Sequence, residues 1–242
     1  MISIEPIMEK LKYISKSKMN LYNFCPFSFK LHYLDKKKRD YCPYMAKGSQ
    51  VHDFIDNFFD KVKVENNKLI IPDVELKHRN YYIKNFILFQ IQRWEGCLQQ
   101  HPENPEKYFF PILKEELIKT ENPALIGIVD WLYWTVDNQL AVIEIKTGKP
   151  TIKKIKKYEQ ELVWYKLLLE VQGKFSPINK RIIYFPYNNF VHTSAINGVE
   201  VKELEEKIDK VRERILSYQF PANTNKCKQC GYWRHCPNFK RW

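Results

Sequence analysis

A chain of 242 residues, 44% of them apolar and 28% charged, suffices for one sizeable α/β domain with an appendage and is too apolar for wholesale disorder. Forty lysines and arginines against 28 aspartates and glutamates leave a net charge of +12, which favours a polyanionic partner, nucleic acid ahead of an anionic membrane surface. No apolar run approaches the roughly 20 residues of a membrane span, and the opening MISIEPIMEKLKYISKSK has neither the continuous apolar stretch nor the cleavage site of a secretory signal. The chain is therefore expected in the cytoplasm, with no membrane partner, and its six cysteines are expected as thiols or metal ligands rather than disulfides.

Ser15 to Leu34 reads as two short helices: Ser15 or Ser17 can cap the first, and Cys25-Pro26 interrupts before the second, where Pro26 suits a first turn. Lys36 to Arg39 is a basic run. Gly48 to Val62 is a helix with Val51, Ile55, Phe58, Phe59 and Val62 as its apolar stripe and His52 beside it. Glu75 to Gln100 reads as a long helix carrying no visible chemistry. Tyr108 to Thr120 reads as a strand ending in Glu115 and Glu116.

Gly127 to Gly148, GIVDWLYWTVDNQLAVIEIKTG, reads as two strands that are apolar on both faces, as expected of central strands covered on both sides. Three charges interrupt this background: Asp130, Glu144 and Lys146. Charges are costly to bury without partners, so the trio is a candidate site. Glu144 and Lys146 project to one face and Ile143 and Ile145 to the other. Asp130 joins that face only if the loop between the strands is odd in length. The expected register has a three-residue loop, Asp137 to Gln139, placing Asp130 opposite Lys146. Two such carboxylates with open positions suit Mg²⁺ or Mn²⁺, and a neighbouring lysine can orient water or neutralise a transition state. The trio alone is equally well read as a buried ion pair.

Lys153 to Gln172 is a helix with Ile155, Tyr158, Leu162, Tyr165 and Leu169 at helical spacing. Lys149, Lys153, Lys154, Lys156 and Lys157 crowd its start, where cations are unfavourable, which points to a phosphate partner. Asn179 to Tyr187 and Phe190 to Ile196 read as strands, and Val201 to Tyr218 as an amphipathic helix. In the tail, Cys227-x-x-Cys230-x5-Cys236 indicates a metal centre. The spacing leaves open Zn²⁺, with His235 as fourth ligand, and an iron–sulfur cluster, with a fourth thiolate from elsewhere.

Asp130 followed by Glu144-Ile145-Lys146-Thr147-Gly148 resembles the PD-(D/E)XK nuclease core, in its RecB-like branch. Gly48-xxx-His52 resembles that branch's GxxxH element. One upstream cysteine followed by three at the C-terminus resembles the iron–sulfur exonucleases of this branch, the AddB nuclease domain and the CRISPR-adaptation exonucleases. The resemblance implies a restriction-endonuclease-like α/β core with a central mixed sheet flanked by helices. It implies Mg²⁺ or Mn²⁺ held by His52, Asp130, Glu144 and the Ile145 carbonyl, with Lys146 catalytic. It also implies a [4Fe–4S] cluster on Cys25, Cys227, Cys230 and Cys236, with Cys42 as the alternative first ligand. A glutamate from the 108–120 strand, Glu115 or Glu116, is expected near the metal. The branch's Gln-apolar-x-x-Tyr pattern is matched at Leu162 and Tyr165 but has Glu161 where glutamine is usual; these residues, with Lys149, Lys153 and Lys154, are the expected DNA contacts. The implied division is a helical segment over 1–46, a nuclease core over 47–219 and a cluster-binding tail over 220–242 that packs with 15–35. The implied activity is metal-dependent DNA hydrolysis, exonucleolytic on single strands with endonuclease action in view. The setting is CRISPR adaptation and antiviral defence, alongside an integrase, or DNA repair or mobile-element replication. The alternative is an inactive nucleic-acid-binding or scaffolding protein with a structural zinc or iron–sulfur site.

Overall fold

The structure is a computed structural model and describes residues 11–40, 49–71 and 80–240. Two compact units divide the described residues: 11–40, 119–127 and 202–240 form one, and 49–71, 80–118 and 128–201 the other. The stretches 119–127 and 202–219 thus group with the terminal segments, not with the central core as the sequence division had them. The fold is α/β, with a mixed sheet flanked by helices.

The larger unit opens with α3 (Ser49–Asp56) and α4 (Phe58–Lys61), where one continuous helix to Val62 was expected; Asn57 breaks it. A small hairpin follows, β2 (Lys63–Glu65) and β3 (Lys68–Ile70), which the sequence reading did not anticipate. Helix α5 (Tyr81–Gln100) begins where the Asn80 side chain accepts a hydrogen bond from Tyr82 N; the expected start at Glu75 lies outside the described residues. Residues 105–109, read partly as strand, form α6 (Pro105–Phe109), because Asn104 caps a turn that Pro105 enters readily. The strand there is β4 (Leu113–Glu121). It is followed by β5 (Ala124–Trp134), β6 (Leu140–Ile145), α7 (Ile152–Gln172), β7 (Ile178–Phe185) and β8 (Phe190–Ala195). Thr151 caps α7, and Gly173 closes it at φ +80°, a left-handed conformation that glycine adopts without strain.

Strand β6 runs antiparallel to β5 and parallel to β7, and β8 returns antiparallel to β7. Alternation then sorts the side chains. Trp131, Tyr133, Ile143, Ile145 and Tyr184 share one face and form a core with Val51, Ile55, Phe58, Phe86, Trp94 and Phe109 from the helices. Burial of that many large apolar side chains, each contributing about 1.5–3 kcal/mol, fixes which face of β5 and β6 meets these helices. The opposite face carries Asp130, Leu132, Val142, Glu144 and Ile183, and α7 packs on it: Arg181, paired with Val142, reaches the Glu159 carbonyl of α7 at 3.3 Å.

In the smaller unit, β1 (Ile14–Ser15) pairs in parallel with Leu125 and Ile126. Helix α1 (Lys16–Phe24), capped by the Ser15 hydroxyl, is followed by α2 (Pro26–Phe29) and a π-helical turn, Lys30–Leu34. Tyr22, Phe29 and Phe220 cluster with ring centroids 5.5–6.2 Å apart, and the Tyr22 hydroxyl donates to the Gln219 carbonyl at 2.6 Å. The tail therefore packs on the first helices. Helix α8 (Gly198–Leu216) buries Leu204, Ile208, Val211 and Ile215, and two 3₁₀ turns, Thr224–Gln229 and Trp233–His235, complete the chain. No helix among the described residues is long and apolar enough to cross a membrane.

Candidate functional site

The β5–β6 loop is five residues, Thr135 to Gln139, not the three expected. The Thr135 hydroxyl donates to the Gln139 carbonyl at 2.9 Å and accepts from Gln139 N at 3.2 Å, and Asn138 takes the left-handed turn at φ +57°. An odd loop keeps Asp130 on the face of Glu144 as anticipated. The register is shifted by two residues, however: Trp131 pairs with Ile143, so Asp130 comes beside Glu144 instead of Lys146.

This correction brings the two carboxylates together. Glu144 is 1% exposed and forms an ion pair with the Lys146 ammonium, one pleat further along the same face. Tyr165, 3% exposed, donates its hydroxyl to Asp130 Oδ1 at 3.0 Å. Burial, then repulsion from Glu144, pushes the Asp130 carboxyl up to about 8, against an ordinary value near 3.8. The shift favours the protonated form of Asp130, and a divalent cation beside the two carboxyls would oppose it. Burial works to lower the Lys146 pKa, but Glu144, Asp130 and Glu161 outweigh it, and the net shift is upward, so the ammonium stays charged. The Tyr158 ring lies 5.3 Å from that ammonium.

Of the two glutamates that the sequence left as alternatives, Glu115 is the one in the field of this site. It takes a left-handed backbone at φ +49°, and its carboxyl is pushed up by desolvation first, then by Asp56 and Glu144. Asp56 is likewise raised, by burial first, with His52 opposing. His52, Asp56, Glu115, Glu144 and Asp130 thus form a sequence of neighbouring fields, with His52 at its outer end. Sequence reasoning missed Asp56; the signal available was its position four residues after His52, on one helix face. Gly48 of the GxxxH element lies outside the described residues. Ile145 sits in the apolar core, and Lys146 N donates to the Tyr184 carbonyl at 3.0 Å. Glu161 lies within the field of Lys146 and pairs with Lys157 at 3.6 Å. Tyr165 is buried against Asp130, whereas Lys149 and Lys153 are exposed and Lys154 is half-buried, its ammonium on the Lys149 carbonyl at 3.0 Å.

In the smaller unit, Cys25, Cys227, Cys230 and Cys236 line one pocket together with Phe24, Ser28 and Asn223. Asn223 N donates to Cys25 Sγ at 3.3 Å, and Ser28 Oγ lies 3.4 Å from Cys230 Sγ. Burial first, then the other three thiols, raises the Cys236 pKa. His235, the zinc alternative, is exposed. Cys42 lies outside the described residues. Among the described residues, no three His, Cys, Asp or Glu side chains are drawn tightly enough to enclose a metal ion as they stand. The chemistry of the donors still suits metals: four soft thiols at the pocket, and two repelling carboxylates side by side on the sheet.

A sequence profile of the PD-(D/E)XK nuclease superfamily matches residues 13–237. The fold is similar to the crystal structure of a candidate exonuclease from Eubacterium rectale, with TM-score 0.52 and 13% identity over 100% of this chain and 93% of that one. A crystal structure of SSO0001 aligns with TM-score 0.33 and 16% identity over 66% of this chain and 80% of that one, a likeness that bears no argument. No curated protein matches the chain significantly.

Proposed function

The chain belongs to the PD-(D/E)XK nuclease superfamily, and on that premise we propose that Asp130, Glu144 and Lys146 are the active site of a divalent-metal-dependent deoxyribonuclease. The observation that carries this reading is the placement of Asp130 beside Glu144 on one sheet face, with Lys146 next on that face and joined to Glu144. Asp130 and Glu144 would hold Mg²⁺ or Mn²⁺, with His52 and the Ile145 carbonyl as further donors on the strength of the sequence pattern. Such an ion supplies an acidified water and neutralises charge developing on the phosphate.

The protein's own groups do the rest. Tyr165 fixes the rotamer of Asp130 by its hydrogen bond, so that one carboxylate oxygen stays directed at the shared site. Lys146, held charged, orients the attacking water or donates to a non-bridging phosphate oxygen. Water is the nucleophile, and no covalent intermediate on the protein is needed. Lys149, Lys153 and Lys154 set positive charge at the start of α7, where a phosphate backbone relieves the unfavourable helix-end field. Single-stranded DNA, or duplex with single-stranded ends, is the proposed substrate, and attack from an end accords with the candidate exonuclease that shares the fold.

In the smaller unit, Cys25, Cys227, Cys230 and Cys236 are proposed to hold a [4Fe–4S] cluster. Its role is a cross-link closing a loop of some two hundred residues, which removes unfolded-state entropy. CRISPR adaptation, DNA repair and mobile-element replication are the settings that the resemblance of the cysteine pattern brings into view.

The competing reading takes Lys146–Glu144 as a structural ion pair in a nucleic-acid-binding scaffold. A time course on end-labelled linear and circular single-stranded DNA with Mg²⁺ or Mn²⁺ separates the two. The expected result is progressive shortening of the linear strand, slowed about 100- to 1,000-fold in Lys146→Ala with folding retained. Products from the circle would establish endonuclease action. Cleavage unchanged in both Lys146→Ala and Asp130→Asn would reject the site.

A further inference from the structure

The larger unit carries a second feature near the same end of the sheet. Strands β6 and β7 are parallel, so the residues following β7 emerge beside Lys146, whose N–H is bonded to the Tyr184 carbonyl. Tyr187 stands three residues past Tyr184, at most about 10 Å along the chain. It meets Tyr81 and Tyr82 of α5, with ring centroids 6.2 Å from each. Consecutive helix residues ordinarily point apart, yet the Tyr81 and Tyr82 rings stack at 4.0 Å and 29°.

The arrangement is rigid. Tyr82 packs against the apolar core and anchors the stack. The Asn85 amide donates to the Pro186 carbonyl at 2.7 Å, tying the turn that carries Tyr187 to α5. Yet Tyr81 is 49% and Tyr187 38% exposed. Two rings held by their neighbours are thus partly open to solvent, with less rotamer freedom to lose on binding than free side chains have. The unpaired bases of a single strand offer flat partners for them, and the net charge of +12 supplies the complementary sign for its backbone. A duplex keeps its bases stacked internally and offers them nothing.

We propose that Tyr81, Tyr82 and Tyr187 form a stacking platform for single-stranded DNA running to or from the Lys146 site. The proposal deepens the nuclease reading and rests on it for the direction of the strand, but its test does not require cleavage.

Binding of a fluorescent oligothymidine and of a duplex of equal length is measured by anisotropy on the full chain without added divalent cation. The Tyr81→Ala/Tyr187→Ala variant should bind the single strand about tenfold more weakly or worse, with duplex affinity within about twofold of wild type. Tyr81→Trp/Tyr187→Trp, which keeps the flat faces, should bind as tightly as wild type or tighter. Single-strand affinity within about twofold of wild type in the alanine variant overturns the platform, as do equal losses for strand and duplex. Tyrosine-dependent binding by a protein that cleaves no DNA would overturn the nuclease reading alone; intact cleavage with tyrosine-independent binding would overturn the platform alone.

Discussion

The carboxylate site and the cysteine pocket are held by different kinds of structure. Asp130 and Glu144 come from neighbouring strands, Lys146 from the residue just past β6, and Tyr165 from a 21-residue helix, all positioned by the packing of a sheet between helices. Their polar groups already engage one another: Tyr165 with Asp130, Lys146 with Glu144. The four thiols come from the junction of α1 and α2 and from two 3₁₀ turns, held by local bonds such as Cys25 N to the Leu21 carbonyl and Cys230 N to the Cys227 carbonyl instead of by a sheet. The polar groups of the strand site are thus already engaged with one another, an arrangement that accords with the proposed cation site. The thiols, by contrast, are tied to no such network, and under the cluster proposal their surroundings would depend on what they hold.

The largest expected effect breaks the strand site without harming the fold. Asp130→Asn should lower metal-dependent cleavage by about 100- to 1,000-fold while keeping the Tyr165 hydrogen bond. The folded carboxyl holds its proton up to about pH 8, the unfolded one only to about 4. The folded state therefore binds more protons between those values, and its stability falls as pH rises through that window. Asparagine removes the penalty. At pH 7.5 without metal the variant should be as stable as wild type or up to about 1–2 kcal/mol more so, read by thermal or urea unfolding. A loss of stability would mark Asp130 as structural.

Cys227→Ser should do the reverse. Absorbance near about 400 nm should disappear from anaerobically purified protein, and the melting temperature should fall by roughly 5–15 °C through loss of a long-range cross-link. A colourless, zinc-loaded wild type would contradict the cluster. Smaller again is Tyr165→Phe, which frees Asp130 without removing a ligand. Metal affinity should weaken about 10- to 100-fold with the fold retained, as measured by Mn²⁺ titration; unchanged affinity would reduce Tyr165 to core packing.

The same contrast governs how much could be read from the sequence. Glu144 and Lys146 were legible because a strand repeats every two residues, and so was the side of the sheet taken by Asp130, which depends only on loop parity. The register itself was not, because the Thr135 hydroxyl bridging to Gln139 closes a longer loop than the turn residues suggested. The choice between Glu115 and Glu116 was not legible; the fields of Asp56 and Glu144 single out Glu115. Helix α6 and the β2–β3 hairpin are too short for periodicity to announce them. In the smaller unit, spacing disclosed the cysteines, and the structure adds that four of them line one pocket, from segments some two hundred residues apart.

Calorimetric titration of Mn²⁺ into wild-type protein and Asp130→Asn at pH 6, 7 and 8 tests the carboxylate pair most directly. Wild type should bind one ion with release of a proton, and its affinity should rise about tenfold per pH unit before levelling near 8, while the variant binds weakly at every pH. Equal Mn²⁺ affinity in the two proteins, or none in wild type, would contradict a cation site at Asp130 and Glu144.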